Sequence, residues 1–130
     1  MAENRILLDT NAVIYLASKG NSISNETEKQ LDEADLFISI ISEIELFSKP
    51  GMPQDEEENL RTFISERMIV IDLTSAVKKE TVNLRRNTKQ KLPDCIIAAT
   101  AIELDAVLLT ADERLLNITF PGLRMKNILL

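Results

Sequence analysis

Four short apolar runs, each followed by a stretch with helical spacing, constrain this chain more than any other feature. Arg5 to Asp9, Leu36 to Ser39, Met68 to Ile71 and Ala106 to Leu109 are too short for helices and place apolar residues at successive positions. That pattern suits strands buried on both faces. Helices are expected over Asn11 to Ser18, Asn25 to Ala34 and Ser42 to Ser48. A further one is capped by Asp55 and runs to about Arg67, and a long one opens at Thr74 with apolar positions Val77, Val82 and Leu84. Another has Pro93 at its first position and is apolar almost all round, which makes it central. A short helix over Ala111 to Leu116 and a candidate edge strand over Met125 to Leu129 complete the pattern. Strands alternating with helices imply a parallel sheet wrapped on both faces. The expected fold is α/β, a three-layer α/β/α arrangement around a central, mostly parallel sheet of four to five strands.

The 130 residues, 45% hydrophobic and 28% charged, fit one domain over 1–130, with no internal repeat, linker or low-complexity segment. A chain of this size buries roughly two thirds of its unfolded surface, enough for a core without staples. The single cysteine, Cys95, cannot form an internal disulfide, and no secretory leader is evident. No run approaches the ~18 apolar residues of a membrane helix. A cytoplasmic protein is expected.

Chemistry is narrowed most by the absence of histidine, which removes Ser-His-Asp triads, Cys-His pairs and histidine-ligated zinc together. Any metal must be held by oxygen, which favours Mg²⁺ or Mn²⁺. The net charge of -6 argues against a nucleic-acid binder that works through a basic surface alone. A local acidic pocket loaded with divalent cations would still attract phosphate.

Four acids sit where the strands end or the central helix opens: Asp9, Glu45, Asp94 and Asp112. Each has a plain structural explanation. Asp9 and Asp112 can cap the helices that follow them, Ser42 and Glu45 have the spacing of a capping box, and Asp94 suits the positive end of a helix. Their joint placement is harder to explain. All four fall on the carboxyl edge of one parallel sheet, where open α/β folds bind ligands, and like charges at close range cost stability. A divalent cation is the natural compensation.

The segments Leu7-Leu8-Asp9-Thr10-Asn11, Ser39 to Leu46, Leu92 to Ala101 and Leu108 to Asp112, in this order and spacing, resemble PIN-domain nucleases over nearly the whole chain. The resemblance is strongest to small toxins of the VapC type from toxin-antitoxin systems. It implies that Asp9, Glu45, Asp94 and Asp112 hold one or two Mg²⁺ or Mn²⁺ ions, with Asn11 and Thr110 in supporting positions. Glu43 lies roughly 200° from Glu45 around a helix, so both cannot point the same way, and the resemblance, in which the acid follows the serine by three residues, selects Glu45. The resemblance further implies RNA as substrate, cleavage to a 5′-phosphate and a 3′-hydroxyl, a cognate antitoxin covering the acidic site, and a homodimer.

Other features rank lower. Arg85, Arg86, Lys89 and Lys91 precede Asp94 and could meet an RNA backbone, although such runs are usually solvated. Cys95 reads as a small buried residue, and Tyr15 with four phenylalanines is too sparse for base stacking. Two alternatives remain: a phosphoacceptor domain similar to response-regulator receivers, with Asp72 as acceptor, and a PIN-like interaction module without activity.

Overall fold

A computed structural model describes residues 4–18 and 24–129. The chain runs β1 (Arg5–Leu8), α1 (Thr10–Ala17), α2 (Asn25–Glu33), β2 (Asp35–Ser39), α3 (Ile40–Phe47) and α4 (Gln54–Arg67). It continues through β3 (Ile69–Ile71), α5 (Ser75–Asn87), α6 (Leu92–Leu104), β4 (Val107–Thr110), α7 (Glu113–Leu116) and β5 (Arg124–Asn127). The strands form one five-stranded sheet in the order β3-β2-β1-β4-β5, and every pairing is parallel. The candidate edge strand thus exists, shifted to Arg124–Asn127 and paired with β4.

Period-two alternation divides the strand residues between two cores. Leu7, Phe37 and Leu108 pack with Val77 and Leu84 of α5 and with Ile96, Ile97, Ala98 and Ala99 of α6. Ile6, Leu8, Leu36, Ile38 and Leu109 face the other way, onto Ala12 and Val13 of α1, Leu31 of α2, Leu46 of α3 and Ile64 of α4. Because successive strand side chains point to opposite faces, an unbroken apolar run requires a helical layer on each side. Those are the three layers expected from the sequence.

Several boundaries differ from expectation for identifiable reasons. The third helix begins at Ile40 because Ser39, not Ser42, is its N-cap, accepting from the Ile41 amide at 3.2 Å. The fourth is preceded by Pro53, with no side-chain cap bond, so Asp55 lies within its first turn rather than capping it. The central helix starts one residue before Pro93, with Lys91 at its N-cap. On α5 the buried positions are Val77, Thr81 and Leu84, while Val82 is 44% exposed. Thr81 is tolerated inside because its hydroxyl donates to the Val77 carbonyl one turn back.

Strand order fixes where a site can form. Chain connectivity reverses direction between β1 and β4, so the crevice beyond their carboxyl ends is the sheet's topological switch point. Asp9 leaves β1 and Thr110 ends β4 at that crevice.

Candidate active site

Asp9 is only 6% exposed and uses both carboxylate oxygens. One accepts from the Ala12 amide at 2.8 Å, making Asp9 the N-cap of α1, and the other accepts from the Thr110 hydroxyl. The Thr110 oxygen in turn accepts from the Asp112 amide at 3.0 Å. Asp112 caps α7 by accepting from the Arg114 amide at 2.9 Å, with the Arg114 guanidinium 3.8 Å away. Capping and clustering are therefore not alternatives for Asp9 and Asp112, since the caps set where these acids point.

Glu45 is exposed in the last turn of α3. It does not return a bond to its helix start, as the capping-box spacing allowed. Its carboxylate accepts from the Thr10 hydroxyl at 2.6 Å, and the Ser42 hydroxyl lies 3.1 Å from the same Thr10 oxygen. Asp94 is half-buried in the first turn of α6.

Electrostatics ties the four acids together. Burial lifts the Asp9 carboxyl above its ordinary 3.8, Thr110 and the Ala12 amide oppose the rise, and the charges of Asp112 and Asp94 add to it. Burial likewise lifts Asp94, helped by Asp112 and Glu45 and opposed by Lys91 and Arg114. Asp9, Glu45, Asp94 and Asp112 thus share one field, although they come from four separate segments of the chain. Among the described residues, no three Asp, Glu or Cys side chains are close enough, as placed, to hold one ion between them.

Asn11 is exposed on the first turn of α1, directly after Thr10, and the other expected supporting residue, Thr110, donates to Asp9. Cys95 is 1% exposed, and burial pushes its thiol up, so it is a packing residue. Arg85 donates to the Gln90 carbonyl, which leaves Lys91 as the cation of that run beside Asp94. Asp72 is exposed where the chain leaves β3 at the sheet edge, and it is not among the charges acting on Asp9 or Asp94. Receivers also order their strands 2-1-3-4-5, unlike this sheet.

The family model of the PIN domain matches residues 6–121. The chain belongs to the PIN domain family. VapBC2 from Rickettsia felis, solved bound to a DNA fragment from its promoter, is 26% identical with a TM-score of 0.79, covering 95% of this chain and 98% of that one. A toxin-antitoxin complex from Klebsiella pneumoniae is 29% identical with a TM-score of 0.66, covering 91% and 94%. DNA-bound VapBC from Salmonella typhimurium, 24% identical with a TM-score of 0.72 over 95% and 97%, supports the fold alone. No curated protein sequence matches this PIN domain significantly. These likenesses agree with the resemblance to VapC-type proteins read from the motifs.

Three residues of the site were not visible in the sequence: Thr10, Ser42 in its contact with Thr10, and Arg114. The Thr10 partners lie 32 and 35 positions away, a separation no local pattern reports. Only the adjacency of Thr10 to Asp9 signalled it.

Proposed function

We propose that this PIN domain is a divalent-metal-dependent endoribonuclease and the toxin of a toxin-antitoxin pair. The observation that carries the reading is the shared field of Asp9, Glu45, Asp94 and Asp112 at the switch point, with Asp9 and Asp94 both raised. Uncompensated, that arrangement costs folding free energy, and perturbed acids in a cleft are a signature of function.

The donor set fits Mg²⁺ or Mn²⁺. All of its atoms are hard oxygens, and Mg²⁺ keeps several waters while using one or two carboxylates directly, so three converging side chains are not required. Asp9, Glu45, Asp94 and Asp112 would hold one or two ions. The chemistry such an ion would supply there is activation of water for in-line attack on phosphorus and neutralisation of charge on the phosphoryl oxygens. Asp9 is held rigid by Ala12 and Thr110, so its carboxylate needs no rearrangement to serve. Lys91 and Arg114 are the cations that act on Asp94, and in this reading they would meet RNA phosphates beside the scissile bond. Products with a 5′-phosphate and a 3′-hydroxyl are expected.

The proposed antitoxin would seat beside the acidic site. A groove of about 610 Å³ runs beside Thr10 and Glu45, with Ile14, Leu46, Leu60 and Phe63 among its walls and Asp55 on its rim. An amphipathic helix carrying a basic side chain toward Glu45 would satisfy both the apolar walls and the acids. The toxin-antitoxin assemblies similar in shape support such a partner. Co-purification with a small protein encoded immediately upstream tests it. A homodimer is also proposed, since edge strand β3 exposes Ile69, with Leu73 just beyond it; light scattering checks the mass. No described helix is long and apolar enough to cross a membrane, and the reading requires the compartment where RNA is met, the cytoplasm.

The decisive experiment incubates purified protein with total RNA and Mn²⁺ or Mg²⁺ and maps the product ends. Wild type should cut, Asp94→Asn should not, and chelation should stop cleavage. Equal cutting by wild type and Asp94→Asn would sink the proposal.

A further inference from the structure

We propose that Thr10, steadied by Ser42, is a positioning residue that holds the Glu45 carboxylate at the acidic site. This rests on the metal-nuclease reading and adds a residue to it.

Glu45 differs from the other acids in what fixes it. Asp9 and Asp112 are short side chains pinned by backbone amides. Glu45 is long, exposed and in the last turn of α3, where the helix field disfavours a negative charge. A free glutamate there samples several rotamers and would turn away from Asp94, whose charge repels it. Its hydrogen-bond donor is the Thr10 hydroxyl at 2.6 Å.

Thr10 is suited to the task. As the first residue of α1, directly after Asp9, it moves with the buried acid. Its β-branched side chain has few rotamers. Ser42 is fully buried, and its hydroxyl sits 3.1 Å from the Thr10 oxygen. The single Thr10 proton goes to the carboxylate, so the Ser42 hydroxyl is the donor across that second contact. A chain Ser42, Thr10, Glu45 therefore links the α1 start to the α3 end and fixes the spacing of the first two acids.

Thr10→Val removes the hydroxyl at nearly constant shape, and Thr10→Ser keeps it. Loss of such supporting partners typically weakens metal sites by 10–100-fold. Thr10→Val should bind Mn²⁺ about tenfold more weakly by calorimetry and regain cleavage when Mn²⁺ is raised, with a melting temperature only a few degrees lower. Thr10→Ser should behave as wild type. Side-chain NMR couplings of metal-free protein should show one Glu45 rotamer in wild type and averaging in Thr10→Val. A single Glu45 rotamer in Thr10→Val, or Thr10→Ser failing as Thr10→Val does, overturns the role of Thr10 alone. Wild type that binds no Mn²⁺ and cuts no RNA overturns the nuclease reading and this role with it.

Discussion

Thr110 donates its hydroxyl to the Asp9 carboxylate across 101 positions of sequence, joining the ends of β1 and β4 at the switch point. Both partners are buried, so removing the donor leaves a charged acceptor short of a bond. Thr110→Val should destabilise the protein by about 1–3 kcal/mol, read as a lower urea midpoint at unchanged slope. Because the Thr110 bond lowers the Asp9 carboxyl, its loss should also move the acid limb of the cleavage pH profile upward. Thr110→Ser should restore both. An unshifted urea midpoint in Thr110→Val would show that the bond contributes nothing.

The raised carboxyls of Asp9 and Asp94 predict a pH-dependent stability of definite sign. Their folded values lie above the ordinary 3.8, so between the two the folded state binds more protons than the unfolded chain. Stability contributed by these groups therefore falls as pH rises through the folded values, and their penalty is absent below about 3.8. Asp9→Asn should raise the melting temperature at pH 7 in metal-free buffer, and the gain should shrink as the buffer is acidified toward 4. A gain that is constant across this range would mean that charge is not its cause.

Cation binding should offset the same penalty. A ligand bound only by the folded state stabilises it by about 2.7 kcal/mol at a hundredfold excess over Kd, so Mn²⁺ should raise the wild-type melting temperature in a saturable way. Asp94→Asn should lose most of the increment, since Asp94 feels both Asp112 and Glu45. Equal increments in the two proteins, measured by scanning calorimetry, would remove Asp94 from the cation site.

The layers, and where the four candidate acids sit in the fold, were legible in the sequence because both are written locally. An apolar run such as Ile6-Leu7-Leu8 can be satisfied only between two helical layers, and an acid at its end has only the sheet edge to occupy. Caps were less legible. Ser39 and Ser42 both carry a hydroxyl at a plausible start of α3, and which one caps depends on where β2 ends, a matter of pairing with β1 and β3. The same holds for Val82, whose apolar character suggested burial. α5 instead turns Thr81 inward, where the hydroxyl is satisfied by its own helix. Least legible were contacts such as Thr10 with Glu45, made only after α1 and α3 have docked.

Lys91 offers a test of how the proposed nuclease would meet RNA despite its net negative charge. It is exposed at the N-cap of α6, and its charge lowers the neighbouring Asp94 carboxyl, so it lies close to any phosphate brought to the site. Contacts of this kind reveal themselves through counterion release, with a slope of roughly 0.7 in log K against log salt for each phosphate on a single strand. Binding is best measured where cleavage is absent, by comparing Asp94→Asn with Asp94→Asn carrying Lys91→Gln. Fluorescence anisotropy on a single-stranded RNA in Mg²⁺ should show weaker binding and a slope smaller by about 0.7 in the double variant. A uniform loss of affinity with an unchanged slope would mean that Lys91 supports the start of α6 rather than touching RNA.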